Sequence, residues 1–119
     1  MSICARIVAE HAGDIDDPQN DRWKIVFVGV IESTNALRAQ ECFGYAAEVS
    51  ENGQVEKWPF LLMPPKTDRS GMLDFGPNCD YEHEEVNIFE RAIEVGSLFT
   101  RGDPADASTY RIVAITPQV

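Results

Sequence analysis

A chain of 119 residues that is 44% hydrophobic can bury one core without metal or disulfide staples, so residues 1–119 are expected to form a single globular domain. Twenty acidic residues against ten basic ones leave a formal charge of −10, which opposes binding to nucleic-acid phosphates and anionic membranes and would attract a basic protein surface. The N-terminus lacks a basic segment followed by an apolar core, and no apolar run approaches membrane-spanning length, so the chain reads as a cytoplasmic protein.

Ile3 to Ala9 alternates as a strand should, with Ile3, Ala5, Ile7 and Ala9 on one side and Arg6 on the other, and is expected near a sheet edge or with one face wet. His11 to Arg22 gathers Gly13, Pro18 and Asn20 with several aspartates into a polar loop. Trp23 to Ile31 is an almost unbroken apolar run of strand length and is the candidate central strand. Within Glu32–Gln40, Ser33, Thr34 and Asn35 precede Ala36, Leu37 and Ala39, a pattern able to cap one or two helical turns.

Asn52-Gly53 supplies the two residues that a type I′ hairpin turn demands. A two-residue loop there sets Glu48 opposite Lys57, Val49 opposite Glu56, Ala47 opposite Trp58 and Tyr45 opposite Phe60. Pro59 removes a backbone donor and points to an edge position. The following strip, Trp58 to Pro65, is too apolar for an edge strand to expose; either this chain covers it, or Trp58, Phe60, Leu62 and Met63 form an interface in a homodimer or with a partner. Lys66 to Asn78 reads as a connection containing one brief strand around Met72-Leu73-Asp74-Phe75.

From Asp80 to Val95 the pattern fits an amphipathic helix. Val86, Ile88, Phe89, Ala92, Ile93 and Val95 fill one half of the wheel, and Glu84, Asn87, Glu90, Arg91 and Glu94 fill the other. Asp80 serves as N-cap, the early glutamates suit the helix dipole, and Gly96 ends the helix with positive φ. A strand is the rival, because Phe89, Ile93 and Val95 are separated by even steps. Leu98–Thr100 and Ser108–Ile115 then form a hairpin whose connection holds Gly102-Asp103-Pro104, and the second of these strands is nearly apolar on both faces, as an internal strand would be. Arg101-Gly102-Asp103 reads as turn chemistry rather than an adhesion motif.

The pattern as a whole predicts an α+β protein, predominantly antiparallel β: a small sheet or partly closed barrel of about five to seven strands with one principal helix near 81–95, or an all-β fold if that segment is extended.

Chemistry-bearing side chains are plentiful but poorly spaced. Cys79, Asp80, Glu82, His83, Glu84 and Glu85 place a thiol, an imidazole and carboxylates together, yet no second histidine lies at helical spacing, so a solvated acidic turn accounts for them better than zinc. Asp14, Asp16, Asp17, Asn20 and Asp21 fail the calcium-loop pattern because Pro18 and Gln19 stand where glycine and further ligands are required. Cys4, Cys42 and Cys79 lie far apart without Cys-x-x-Cys spacing and read as reduced, mostly buried thiols. Gly29, Gly44 and Gly53 are isolated, and no phosphate loop, dinucleotide fingerprint or nucleophile elbow is present.

No catalytic residue, cofactor or metal ligand is therefore assigned. The expected function is a non-enzymatic acidic binding or interaction module, with a homodimer or a basic protein as the partner. The alternative is a small enzyme or ligand-binding protein with a pocket near Cys79–Glu85, to which His11 or His83 would contribute.

Overall fold

The short, β-branched and alternating runs of the sequence pair into antiparallel strands. The computed structural model describes residues 2–12, 23–67, 69–77, 83–102 and 107–118. Its strands are β1 (Ile3–His11), β2 (Trp23–Ile31), β3 (Cys42–Val49), β4 (Val55–Met63), β5 (Met72–Asp74), β6 (His83–Glu85), β7 (Leu98–Arg101) and β8 (Ser108–Pro117). They form one eight-stranded antiparallel sheet in the order β6-β5-β4-β3-β2-β1-β8-β7.

The two ends of that sheet meet. Val86 bridges Arg101, the Gly102 amide donates to the Glu85 carbonyl at 2.8 Å, and the Asn87 amide donates to the Thr100 carbonyl at 3.2 Å. The sheet is thus a nearly closed barrel, which removes most of the exposed edge that an open sheet would present. Between Val8 and Ala9 the pairing of β1 with β8 slips by one residue, a bulge that adds local bend.

The inward face fills the barrel by alternating small and large side chains. Ala5, Ile7 and Ala9 of β1 face the same interior as Ile25 and Phe27 of β2, Cys42 and Ala46 of β3, Phe60 and Leu62 of β4, Phe99 of β7, and Tyr110 and Ile112 of β8, all of them buried. Each large side chain removed from water in this way contributes about 1.5–3 kcal/mol before conformational entropy is subtracted. One end of the barrel is plugged by Leu37, Ile88 and Ile93, which are also buried and are held there by the bridges Ile31–Leu37 and Ala36–Ala92.

Three sequence expectations are corrected by the pairing. The principal helix near 81–95 does not form: residues 83–85 are β6, Ile88–Glu90 is a single 3-10 turn, and the fold is all-β among the described residues. The physical reason is barrel closure. The Val86 amide bonds to Gly71 and the Glu85 carbonyl accepts from Gly102, so an α-helix, which spends those groups on itself, would leave the edges of β5 and β7 unpaired. Glu84, Val86 and Ile88 follow the two-residue step that the wheel obscured, with Val86 and Ile88 buried.

The second correction is the stretch Glu32–Gln40, which makes turns and bridges rather than a helical turn, with Asn35 at φ 67°. The third is the β3–β4 register. The Ser50 amide bonds to the Gln54 carbonyl at 2.8 Å and the Gly53 amide to the Ser50 carbonyl at 2.9 Å, so the loop holds three residues instead of two. Gly53 alone takes positive φ (85°), and Asn52 instead accepts from the Gln54 amide through its side chain at 3.2 Å. The register becomes Glu48 with Glu56, Ala46 with Trp58 and Gly44 with Phe60, one residue away from the two-residue expectation.

The strand count exceeds the expected five to seven because β6 adds to it. β2 lies inside the sheet, as expected of the candidate central strand, and β8 lies between β1 and β7. β1 is internal too, although its outward Cys4 and Arg6 are exposed. Pro59 does sit on a local edge, since β5 covers β4 only from Leu61 to Met63. No helix among the described residues is long and apolar enough to cross a membrane.

Candidate functional site

At the end of the barrel opposite the Leu37–Ile88–Ile93 plug, the inward face changes from aliphatic to aromatic and charged. The alternation that buries Ala5, Ile7 and Ala9 brings His11 inward at the end of β1, and that of Ile25 and Phe27 brings Trp23 inward at the start of β2. On β3 and β4 the same rule turns Glu48, Glu56 and Trp58 toward the opening. β6 supplies Glu84, β7 supplies Arg101, and β8 supplies Ser108 and Tyr110.

These side chains line two adjoining recesses. The more apolar one, of about 270 Å³, is walled by Trp23, Trp58, Phe75, Glu48, Glu56 and the Glu84–Arg101 pair. The neighbouring one, of about 240 Å³, shares Trp23, Glu84 and Arg101 and adds His11, Ser108 and Tyr110. The mouth of a barrel is a common place for a ligand site, because inward side chains there are held on rigid strands while still reachable from solvent.

Arg101 is the centre of the arrangement. Its Nε donates to Glu84 Oε2 at 2.6 Å, its Nη2 to Glu84 Oε1 at 3.1 Å, and its Nη1 to Tyr110 Oη at 3.2 Å. The arginine side chain is 11% exposed and the glutamate 20%, so this is a largely desolvated, bidentate pair. Burial works against the arginine charge, but the hydrogen bonds it donates to Glu84 and Tyr110 and the negative charge these groups carry when ionised outweigh it and shift the guanidinium pKa upward. Burial also raises the Tyr110 pKa, with Arg101 opposing the rise.

Aromatic rings hold the cation from several sides. The guanidinium carbon lies 5.5 Å from the Trp23 centroid, 5.5 Å from Phe75 and 5.9 Å from Tyr110. Trp23 and Trp58 pack together at 5.2 Å with a 32° tilt, His11 meets Tyr110 edge-on at 5.4 Å, and Phe75 meets Phe60 edge-on at 5.7 Å. Tyr110 stacks on Phe99 at 5.8 Å, which ties the site to the hydrophobic core.

The residues singled out in the sequence fall differently about this mouth. Within the Cys79–Glu85 segment, Glu84 enters the site, and the backbone of His83 pairs with Asp74. Cys79, Asp80 and Glu82 lie outside the described residues, as do Asp14, Asp16, Asp17, Asn20, Asp21, Asp103 and Pro104. His11 is buried in the second recess. Of the strip proposed as an interface, Phe60 and Leu62 are interior, Trp58 is half-buried in the first recess, and Met63 is half-buried beside Met72. Phe43, by contrast, is 77% exposed on the outside of β3. Cys42 is an interior thiol whose pKa burial pushes up to about 11.

Among the described residues, no group of three or more His, Cys, Asp or Glu side chains is placed to hold a metal ion. Trp23, Glu48, Glu56, Arg101 and Tyr110 were not legible as site residues in the sequence. Their one signal is parity: each stands an even number of residues from a buried core residue of its own strand, at the end nearest the mouth. Comparison with protein-family models, with curated proteins and with solved structures gives no match.

Proposed function

We propose that this chain is a non-enzymatic binding module that receives its occupant in the barrel mouth, in the recess walled by Trp23, Trp58, Phe75 and the Arg101–Glu84 pair. The observation that carries the reading is the change in the inward layer. Aliphatic packing alone would close a barrel of this size, yet the mouth instead holds two indoles around an open space of about 270 Å³. Trp58 and Trp23 offer broad, rigid contact area at small entropic cost, which suits them to recognition. The formal charge of −10 supports a basic protein partner as one source of the occupant.

A small enzyme using the same recess is the competing reading, favoured by the entry of Glu84 from the segment 79–85. Both of its carboxylate oxygens are spent on Arg101, however, and this supports a role in building the wall rather than in moving protons.

Titration with a panel of anionic, neutral and cationic small molecules, followed by tryptophan emission, tests the proposal. A saturable change that is lost in Trp58→Ala is expected. A panel in which no compound produces a saturable change, or in which Trp58→Ala leaves the responses intact, would overturn it.

A further inference from the structure

The charges around the mouth specify what kind of group it takes. Glu48 and Glu56 stand directly opposite one another on β3 and β4, and both line the first recess. Like charges at facing positions of a sheet destabilise it. Among the described residues neither carboxylate has a side-chain hydrogen bond or an ion pair. Each also neighbours an indole, since Glu48 pairs in register with Trp23, and Trp58 follows Glu56 on the same face of β4.

Arg101, the one cation in the wall among the described residues, does not offset them. Arg101 is already matched by Glu84, both of whose oxygens it engages, and a third donor is spent on Tyr110. Among its described residues, with Glu48, Glu56 and Glu84 against Arg101, the first recess holds more negative than positive charge. An anion brought to Arg101 would displace or crowd Glu84 and would face two further carboxylates.

We propose that the recess binds the head of an organic cation, a substituted ammonium or guanidinium group, between the facing carboxylates Glu48 and Glu56 and the indoles of Trp23 and Trp58. This assignment rests on the binding-module reading above and adds the chemical class of its ligand. Indole is the strongest of the aromatic partners for such a cation, and a carboxylate pair at the opening supplies both attraction and steering. The apolar lining favours an alkylated or delocalised cation over a compact, strongly hydrated ion, because less hydration is lost on entry. The same head group is available from a free small molecule or from a basic side chain of a protein.

The test uses the full chain and tryptophan emission, with choline as the free cation, its uncharged isostere in which carbon replaces the quaternary nitrogen, acetate, and a short peptide bearing trimethylated lysine. Choline or the peptide should produce a saturable change that the isostere does not reproduce. The affinity should fall about tenfold in the Glu48→Gln/Glu56→Gln double variant and weaken further with salt. Removing two facing like charges should leave folding intact, and a thermal melt of the variant verifies that. A response to the peptide alone assigns the cation to a protein partner, and a response to choline assigns it to a free ligand. Equal binding of the isostere, or unchanged affinity in the double variant, overturns the cation assignment. Saturable binding of acetate without either cation overturns it as well while leaving the binding-module reading standing. No saturable change with any of these probes overturns it too, and the wider panel above then decides the fate of the recess itself.

Discussion

Arg101 meets Glu84 through two parallel hydrogen bonds of 2.6 and 3.1 Å at the point where the two ends of the sheet come together. The pair therefore serves closure and site at once: it links β6 to β7 across the seam, and it presents the charged wall of the mouth. Because both partners are largely desolvated, the loss of one is more serious than the loss of both.

Glu84→Gln should destabilise the fold by about 3 kcal/mol, since it leaves the Arg101 charge buried against an uncharged amide. Glu84→Leu combined with Arg101→Met should cost markedly less than the sum of the two single replacements. Urea denaturation of the four proteins measures the cycle. Additive effects, or a Glu84→Gln cost below about 1 kcal/mol, would show that the seam does not depend on the pair.

Gly96 lies at φ 96° in the turn that precedes β7, where its amide donates to the Ile112 carbonyl at 2.7 Å. A Cβ added there would meet no atom within 4 Å, so the site is open at that position and the positive φ is the main cost of a side chain. Gly96→Val should lower stability by more than about 1 kcal/mol. Chemical denaturation checks this, and an unchanged midpoint with unchanged slope would refute it.

Tyr110 should make stability fall in alkali. Its folded pKa is raised above 10.0, chiefly by burial, so the folded state holds the phenolic proton more tightly than the unfolded state does. The corresponding stability is fully present below pH 10 and is lost as the pH rises toward the folded value. Unfolding midpoints measured across this range should drop more steeply for the wild type than for Tyr110→Phe. Parallel curves would remove Tyr110 from the account of alkaline unfolding.

Much of the strand layout was written in short-range pattern. Ile3–Ala9, Trp23–Ile31, the β7–β8 hairpin and the brief strand at Met72 all announce themselves through alternation or β-branched runs, because one inward face must be apolar whatever its neighbours are. Local pattern misled at 81–95, where an apolar half-wheel and a two-residue alternation coexist in Glu84, Val86 and Ile88. Intrinsic preference could not decide between them; the unpaired edges of β5 and β7 did, and those exist only once the barrel has formed.

The site was less legible than the fold, for a definite reason. Whether Glu48 faces Glu56 or Lys57 turns on one residue of loop length, and Asn52-Gly53 is compatible with both a two-residue and a three-residue turn. The sequence by itself determined an acidic chain of mostly antiparallel strands, with Trp23 opening one of them and Trp58 and Arg101 left without a common place. Only the tertiary structure decided that these residues share one mouth, because the seam between β6 and β7 joins residues that no periodicity relates.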